Sequence, residues 1–399
     1  MSHPFARAIR GLRVRRSPER RPTLFSLIDV GSDTVKVAVV STEAGRPRVL
    51  GLGLAASQGY DLSGGRREAA ALTAATNEAL TQAEDETENL LGRKVVPDDA
   101  VFVIPNRATE TELVTVHQAR PRPRAPISKG EVAAMWERAG RLSRERLGRF
   151  SAGEGGLQPL AITSAGLWVD NHLVSEAEGL PGRELVFSVF AVAVKSPVLR
   201  AIERIAQRLE LAIFNLAAAS QALTAAIPRR EAVVVDVGAS GADCYLLRHN
   251  SLVAAGRAPY GGAFFTQALE QAFRVDKVAA EALKVAYGTE ALSGEDTLLV
   301  ERGLQPALIH WRKAMAAVLR QGASEQPLPG HFYFVGGGSF LPGLQRGLLA
   351  WLSTQTDLVF ARAPEIETLD DALLPGLPAA PGGPRRVLFA LALSVVARL

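Results

Sequence analysis

The sequence predicts an α/β fold built from two similar halves that face each other, and three observations carry that expectation. A β-branched strand runs into Asp-x-Gly and turns at once into another strand at residues 26–32, through Asp29 and Gly31. The same unit returns at residues 233–239, through Asp236 and Gly238. A third segment, Phe332-Tyr333-Phe334-Val335, enters the triple glycine Gly336-Gly337-Gly338 and then a helix start at Leu341-Pro342-Gly343-Leu344. At 399 residues the chain exceeds one typical core, so two or more domains are expected.

Each turn has a chemical reading. A carboxylate at a strand end, followed directly by a glycine turn, gathers an acid and several backbone N–H groups, which suits Mg²⁺ and phosphate. A single Asp-x-Gly is an ordinary turn. Two of them, opposed across a cleft, match one nucleoside triphosphate. Asp29 and Asp236 are then the metal candidates, and the backbone around Gly31, Ser32, Gly238, Ser240 and Gly241 is the phosphate candidate. Lys36, on the strand after the first turn, either contacts phosphate or points outward. Glycines 336, 337 and 338 let the backbone approach a base or ribose where a Cβ would intrude.

The three elements in this order resemble the actin-like ATPase superfamily, a duplicated ribonuclease H-like fold with two phosphate motifs and an adenosine motif. Over residues 23–399 the chain is most similar to the FtsA family of bacterial cell-division proteins, with the PilM family of pilus assembly a close second. The segment Ala280-Glu281-Ala282-Leu283-Lys284-Val285-Ala286-Tyr287-Gly288 is similar to the superfamily's A-E-x-L-K-x-x-Y-G helix. There the Glu and Lys lie near ribose and base, which the resemblance carries to Glu281 and Lys284; read alone, they are an i,i+3 charged pair.

The resemblance implies ATP and Mg²⁺ held between the halves, with Asp29 and Asp236 as the acids that hold the metal through water. It implies a cytoplasmic scaffold that self-associates and links FtsZ to the inner face of the membrane. Its alternative is a PilM-like scaffold of type IV pilus assembly, and a sugar or acetate kinase stands third because no catalytic base is evident. Where the superfamily commonly reads D-I-G-G-G-T-T-D, this chain has Asp236-Val237-Gly238-Ala239-Ser240-Gly241-Ala242-Asp243. Two glycines are replaced and both threonine hydroxyls are gone, so at most slow hydrolysis is expected.

Between the motifs, residues 98–195 read as an insert: a strand at 100–104, a polar strand to His117, a Pro/Arg-rich linker at 119–126, a helix at 129–147 and strands near 160–169 and 184–195. Ser128 and Glu131 form a capping box at the helix start. The strand-helix-strand-strand order is similar to the SHS2-type subdomain of the FtsA and PilM families, where it contacts a neighbour or partner. Residues 196–230 close the first half, 231–262 begin the second, 263–330 form a helical subdomain and 331–399 complete it. In FtsA the corresponding helical subdomain binds the FtsZ tail, for which Arg302, Arg312, Lys313 and Arg320 are available here. Gly51-Leu52-Gly53 is a faint dinucleotide echo inside a strand.

Composition excludes several classes. One cysteine rules out an internal disulfide framework, and six scattered histidines show no metal-ligand spacing. Residues 1–22 hold seven arginines against Glu19, so the net charge of +4 belongs to the tail and the body offers no nucleic-acid surface. Phe5, Ile9 and Leu12 share a helical stripe beside those arginines, the layout of an interfacial membrane helix; a disordered basic arm is the other reading. Residues 387–399, too short to span a bilayer, match the superfamily's last core helix.

Overall fold

The computed structural model describes residues 23–367 apart from 44–46, 58, 61, 63–65, 150–155 and 324–325. The basic tail and the segment 387–399 lie outside the described residues.

The chain opens with an antiparallel meander of β1 (Leu24–Val30), β2 (Thr34–Ser41) and β3 (Arg48–Ala56), covered by helix α1 (Arg66–Leu91). Phe25, Leu27, Ile28 and Val30 are all buried, as befits a strand covered on both faces. The glycines of β3 serve packing, not a dinucleotide: a Cβ on Gly51 would sit 2.0 Å from the Ala83 carbonyl oxygen, and one on Gly53 1.8 Å from that of Ala79. Helix α1 therefore lies directly on the strand. It ends at Gly92, whose φ of +69° suits glycine.

Strand β4 (Asp99–Ile104) runs parallel to β1, in the first sheet. The expected insert boundary at residue 98 is thereby corrected. Ala100–Ile104 is apolar at every position and completely buried, which fits a central strand rather than the half-exposed edge of an insert.

The insert proper is β5 (Thr109–Ala119), α2 (Lys129–Arg149), β6 (Leu157–Val169), the two-residue β7 (His172–Leu173) and β8 (Glu184–Lys195). Its sheet order is β5-β8-β6-β7, with α2 on one face. The capping box forms as the sequence predicts: Ser128 Oγ accepts from the Glu131 N–H at 3.2 Å, and Glu131 accepts from the Ser128 N–H at 2.9 Å. Helix α3 (Ser196–Arg208) and strand β9 (Ala212–Ala218) return to the first sheet, giving β3-β2-β1-β4-β9, before α4 (Ala219–Ala225) leads out of it.

The second half repeats the plan. Strands β10 (Ala232–Val237), β11 (Ala242–Arg248) and β12 (Ser251–Ala258) form the meander, followed by helices α5 (Gly262–Phe273), α6 (Lys277–Gly288) and α7 (Gly294–Gly322). Strand β13 (His331–Val335), helix α8 (Pro342–Leu352) and strand β14 (Glu365–Glu367) finish it, in sheet order β12-β11-β10-β13-β14. Helix α7 begins where Ser293 caps it, its Oγ accepting from the Asp296 N–H at 3.1 Å. Leu223 and Ile227 from the first half, with Phe190 and Val192 from the insert, pack against Val234, Tyr245 and Tyr333 of the second sheet. One apolar core thus holds the halves and the insert together.

Candidate functional site

The two meanders place their aspartates identically and then diverge in charge. Asp29 ends β1 opposite Lys36 of β2, and Asp236 ends β10 opposite Asp243 of β11. The next pairing of each meander, β2–β3 and β11–β12, carries a one-residue bulge at the same distance from the aspartate, at Val39/Val40 and at Leu246/Leu247. Each turn is closed by the same bond, Gly31 N–H to the Thr34 carbonyl and Gly238 N–H to the Gly241 carbonyl, both at 3.0 Å. Those two N–H groups are spent in the turns.

In the first hairpin Lys36 Nζ reaches Asp29 Oδ2 at 3.1 Å, and the aspartate is only 2% exposed. The second hairpin sets one carboxylate opposite another. Burial above all, then the neighbouring charges of Asp243 and Asp29, pushes the Asp236 carboxyl up to about 7 against the pull of Lys36 and Arg257. The cation missing from β11 comes from one strand further out. Arg257 of β12 faces Asp243, where the first half has Leu54 facing Lys36. Its Nη1 donates to Asp243 Oδ2 at 2.8 Å and its Nη2 to Ser240 Oγ at 2.9 Å. From the first half, Asn106 donates its amide to Asp243 Oδ1 at 3.1 Å.

Glu281 and Lys284 form the pair their spacing predicts, Nζ to Oε2 at 2.6 Å, and they do more. Thr266 of α5 donates to Glu281 at 2.6 Å, while Lys284 also reaches Thr266 Oγ1 at 2.9 Å and the Gly262 carbonyl at 3.3 Å. The pair binds α6 to the start of α5. That start is anchored in turn to the second aspartate turn: Gly262 and Ala263 donate to the carbonyls of Gly238 and Ala239 at 2.9 and 3.0 Å.

The glycine triplet approaches its own protein. Gly336 has φ +81°, and a Cβ there would sit 2.4 Å from Asp236 Oδ1; one on Gly338 would sit 2.4 Å from Val237 Cγ1. The close approach that the sequence assigns to a base or ribose is, at these two positions, an approach to β10.

The nucleotide-site residues named from sequence all line one cavity of about 400 Å³ between the halves: Asp29, Gly31, Ser32, Lys36, Asp236, Gly238, Ser240, Gly241, Glu281, Lys284 and Gly336–Gly338. Val285, Phe340 and Leu341 supply an apolar wall beside the glycines. Sequence reasoning missed Asn106, Arg107 and Arg257, which line the same cavity and follow strands rather than motifs. It also found no grouping of histidines, yet His331 lies 3.0 Å from Glu365 and 2.8 Å from Glu367. Arg362 and Arg229 pair with those two glutamates, so the cluster balances its own charge.

No family model matches the chain, and no curated protein matches it in sequence. Solved structures do. PilM in the "PilM-PilN type IV pilus biogenesis complex" superposes with a TM-score of 0.68 at 20% identity, over 95% of this chain and 99% of that one. The ethanolamine utilization protein EutJ from Carboxydothermus hydrogenoformans superposes with a TM-score of 0.51 at 14% identity, over 96% and 91%. The fold is that of the actin-like ATPases. Within it the cavity between the two aspartate hairpins lies where the duplicated halves meet. Among the described residues no helix is long and apolar enough to cross a membrane.

Proposed function

We propose that the chain is a PilM-like scaffold of type IV pilus assembly that works on the cytoplasmic side of the membrane and binds Mg-ATP between its halves. The observation that carries this reading is the cavity with Asp29 and Asp236 on opposing hairpins, in a chain that aligns end to end with PilM. In its complex that protein is paired with PilN, so a protein partner at the inner membrane is proposed here as well. We read the insert as an SHS2-type module that meets a partner or a second copy, and residues 1–22 as a peripheral membrane contact.

The donor set fits a magnesium nucleotide. Asp29 and Asp236 are hard oxygen ligands, and a divalent cation favours the ionised form that Asp236 otherwise resists. Bound Mg²⁺ would supply the positive charge that lets the two carboxylates face one site, with the phosphates meeting the backbone and side-chain donors of the turns. Lys36 orients Asp29 from the first half, while Ser240 and the turn around it present polar groups from the second. Glu281 and Lys284 fix the wall on the nucleoside side by joining α5 to α6. Nucleotide acts chiefly as a conformational ligand, with turnover below roughly 1 per second, the low end of ordinary enzymes.

A division scaffold of the FtsA kind, binding FtsZ, is the second reading; exposed Arg302 and Lys313 of α7 favour it, whereas Arg320 is paired with Asp357 and Arg312 is half-buried against Gly343. Crosslinked affinity purification of the full chain from its own cells separates the two. Pilus inner-membrane proteins in the eluate support the first reading, FtsZ and septal proteins replace it with the second, and recovery of neither removes both.

A further inference from the structure

We propose that Arg257 is a phosphate-binding residue of this cavity, replacing the hydroxyls that the second aspartate turn lacks; the inference rests on the nucleotide reading above. The duplication shows what is unusual about it. At the position of Lys36 the second half carries Asp243, and at the position of Leu54 it carries Arg257. The positive charge has moved one strand outward, to where it overlooks the turn instead of the aspartate beneath it.

The guanidinium has two ends with different commitments. Nη1 is held by Asp243, which is 7% exposed and gripped on its other oxygen by Asn106. Nη2 rests on Ser240, a neutral hydroxyl at the exposed tip of the turn. A hydrogen bond from guanidinium to a phosphate oxygen is stronger than one to a neutral hydroxyl, so an incoming phosphate displaces Ser240 from Nη2. The freed hydroxyl then donates to the same phosphate. Asp243 keeps its partner throughout, so the exchange uncovers no buried charge.

Gly241 belongs to this arrangement. A Cβ there would sit 2.6 Å from Arg257 Nη2 and 2.7 Å from the Ala258 carbonyl oxygen, so the glycine makes room for both the guanidinium and the end of β12. This is a local reason for a glycine at a position where the related motif has threonine. Ala242, in the next place, is wholly buried and offers nothing to a ligand.

The test is equilibrium binding of Mg-ATP and of adenosine to the full chain and its variants. Arg257→Met is expected to lower Mg-ATP affinity on the order of tenfold and to leave adenosine affinity unchanged, as befits one lost charge-assisted contact. Arg257→Lys, which keeps the charge without the fork, should fall between. Gly241→Ala presses on the guanidinium and on the Ala258 carbonyl together; it should reproduce the Mg-ATP loss with adenosine affinity unchanged, and Arg257→Lys carries the test if Arg257→Met does not fold. Mg-ATP affinity within twofold of wild type in both variants overturns the inference, as does an equal loss of adenosine affinity. A wild type that binds adenosine and Mg-ATP equally also overturns it, and one that binds neither removes the nucleotide reading as well.

Discussion

Gly336 packs against Asp236 so closely that a single methyl group on the glycine would stand 2.4 Å from the carboxylate oxygen. The glycine turn after β13 and the aspartate at the end of β10 are thus one structural unit, joined by parallel pairing of Asp236 with Val335. With φ at +81°, Gly336→Ala adds backbone strain to that collision. A loss of about 2 kcal/mol or more is expected in denaturant unfolding, larger than for Gly337→Ala.

The raised carboxyl of Asp236 sets a pH dependence with a definite sign. Its ordinary value is 3.8 and its folded value about 7, so its contribution to stability is complete below 3.8 and is lost as pH rises through 7. In thermal melts with a chelator present, Asp236→Asn should melt above wild type at pH 8, and the gap should close toward pH 4. Added Mg²⁺ should raise the wild-type midpoint more at pH 8 than at pH 6 and leave the variant unmoved. Equal midpoints for the two proteins across that range would refute the assignment.

Lys284 is the common partner of Glu281, Thr266 and the Gly262 carbonyl. Lys284→Ala should cost on the order of 1–2 kcal/mol of stability, the worth of a charged hydrogen-bond partner. It should also weaken nucleoside binding, because it loosens α6 from α5. The check is chemical denaturation alongside adenosine titration.

Arg120 pins the Pro/Arg linker of the insert from inside. Only 6% exposed, it donates to Glu131 at 2.8 Å and to the carbonyls of Gly182 and Ala125 at 2.9 and 3.0 Å. Arg120→Ala should therefore cost about 2–4 kcal/mol through groups left without partners. Arg120, helped by the Ser128 N–H, also holds the Glu131 carboxyl down to about 2 from 4.5. That stabilisation is present above 4.5 and lost as pH falls toward 2. Acid unfolding of the variant should accordingly show a shallower slope over that interval.

The ordered motifs made the duplicated fold and most of the cavity wall legible, because strand, carboxylate and glycine recur in a local pattern. Arg257 was hidden for a reason that lies in register. The left-handed pair His249 and Asn250 makes a two-residue hairpin turn, and an unbulged ladder from it would set Gly256 opposite Asp243. The bulge beside Leu246 and Leu247 shifts the pairing by one and brings Arg257 there instead. Asn106 was hidden by distance along the chain, since its contact with Asp243 exists only once the halves have docked. Sequence order alone puts the strand at 100–104 in the insert; its pairing with β1 and its uniform burial belong to a sheet centre.

The second aspartate turn spends its carbonyls on the first N–H groups of α5, and α5 is clamped to α6. A shift of that turn by even a fraction of an ångström must therefore drag both helices with it. Whatever occupies the cavity would be felt on the outer surface of the second half, around exposed Val278, Leu298 and Leu299, with no relay through the opposite half. The helical subdomain is in this sense a pointer fixed to the turn, and a partner resting on it would sense the filled state directly.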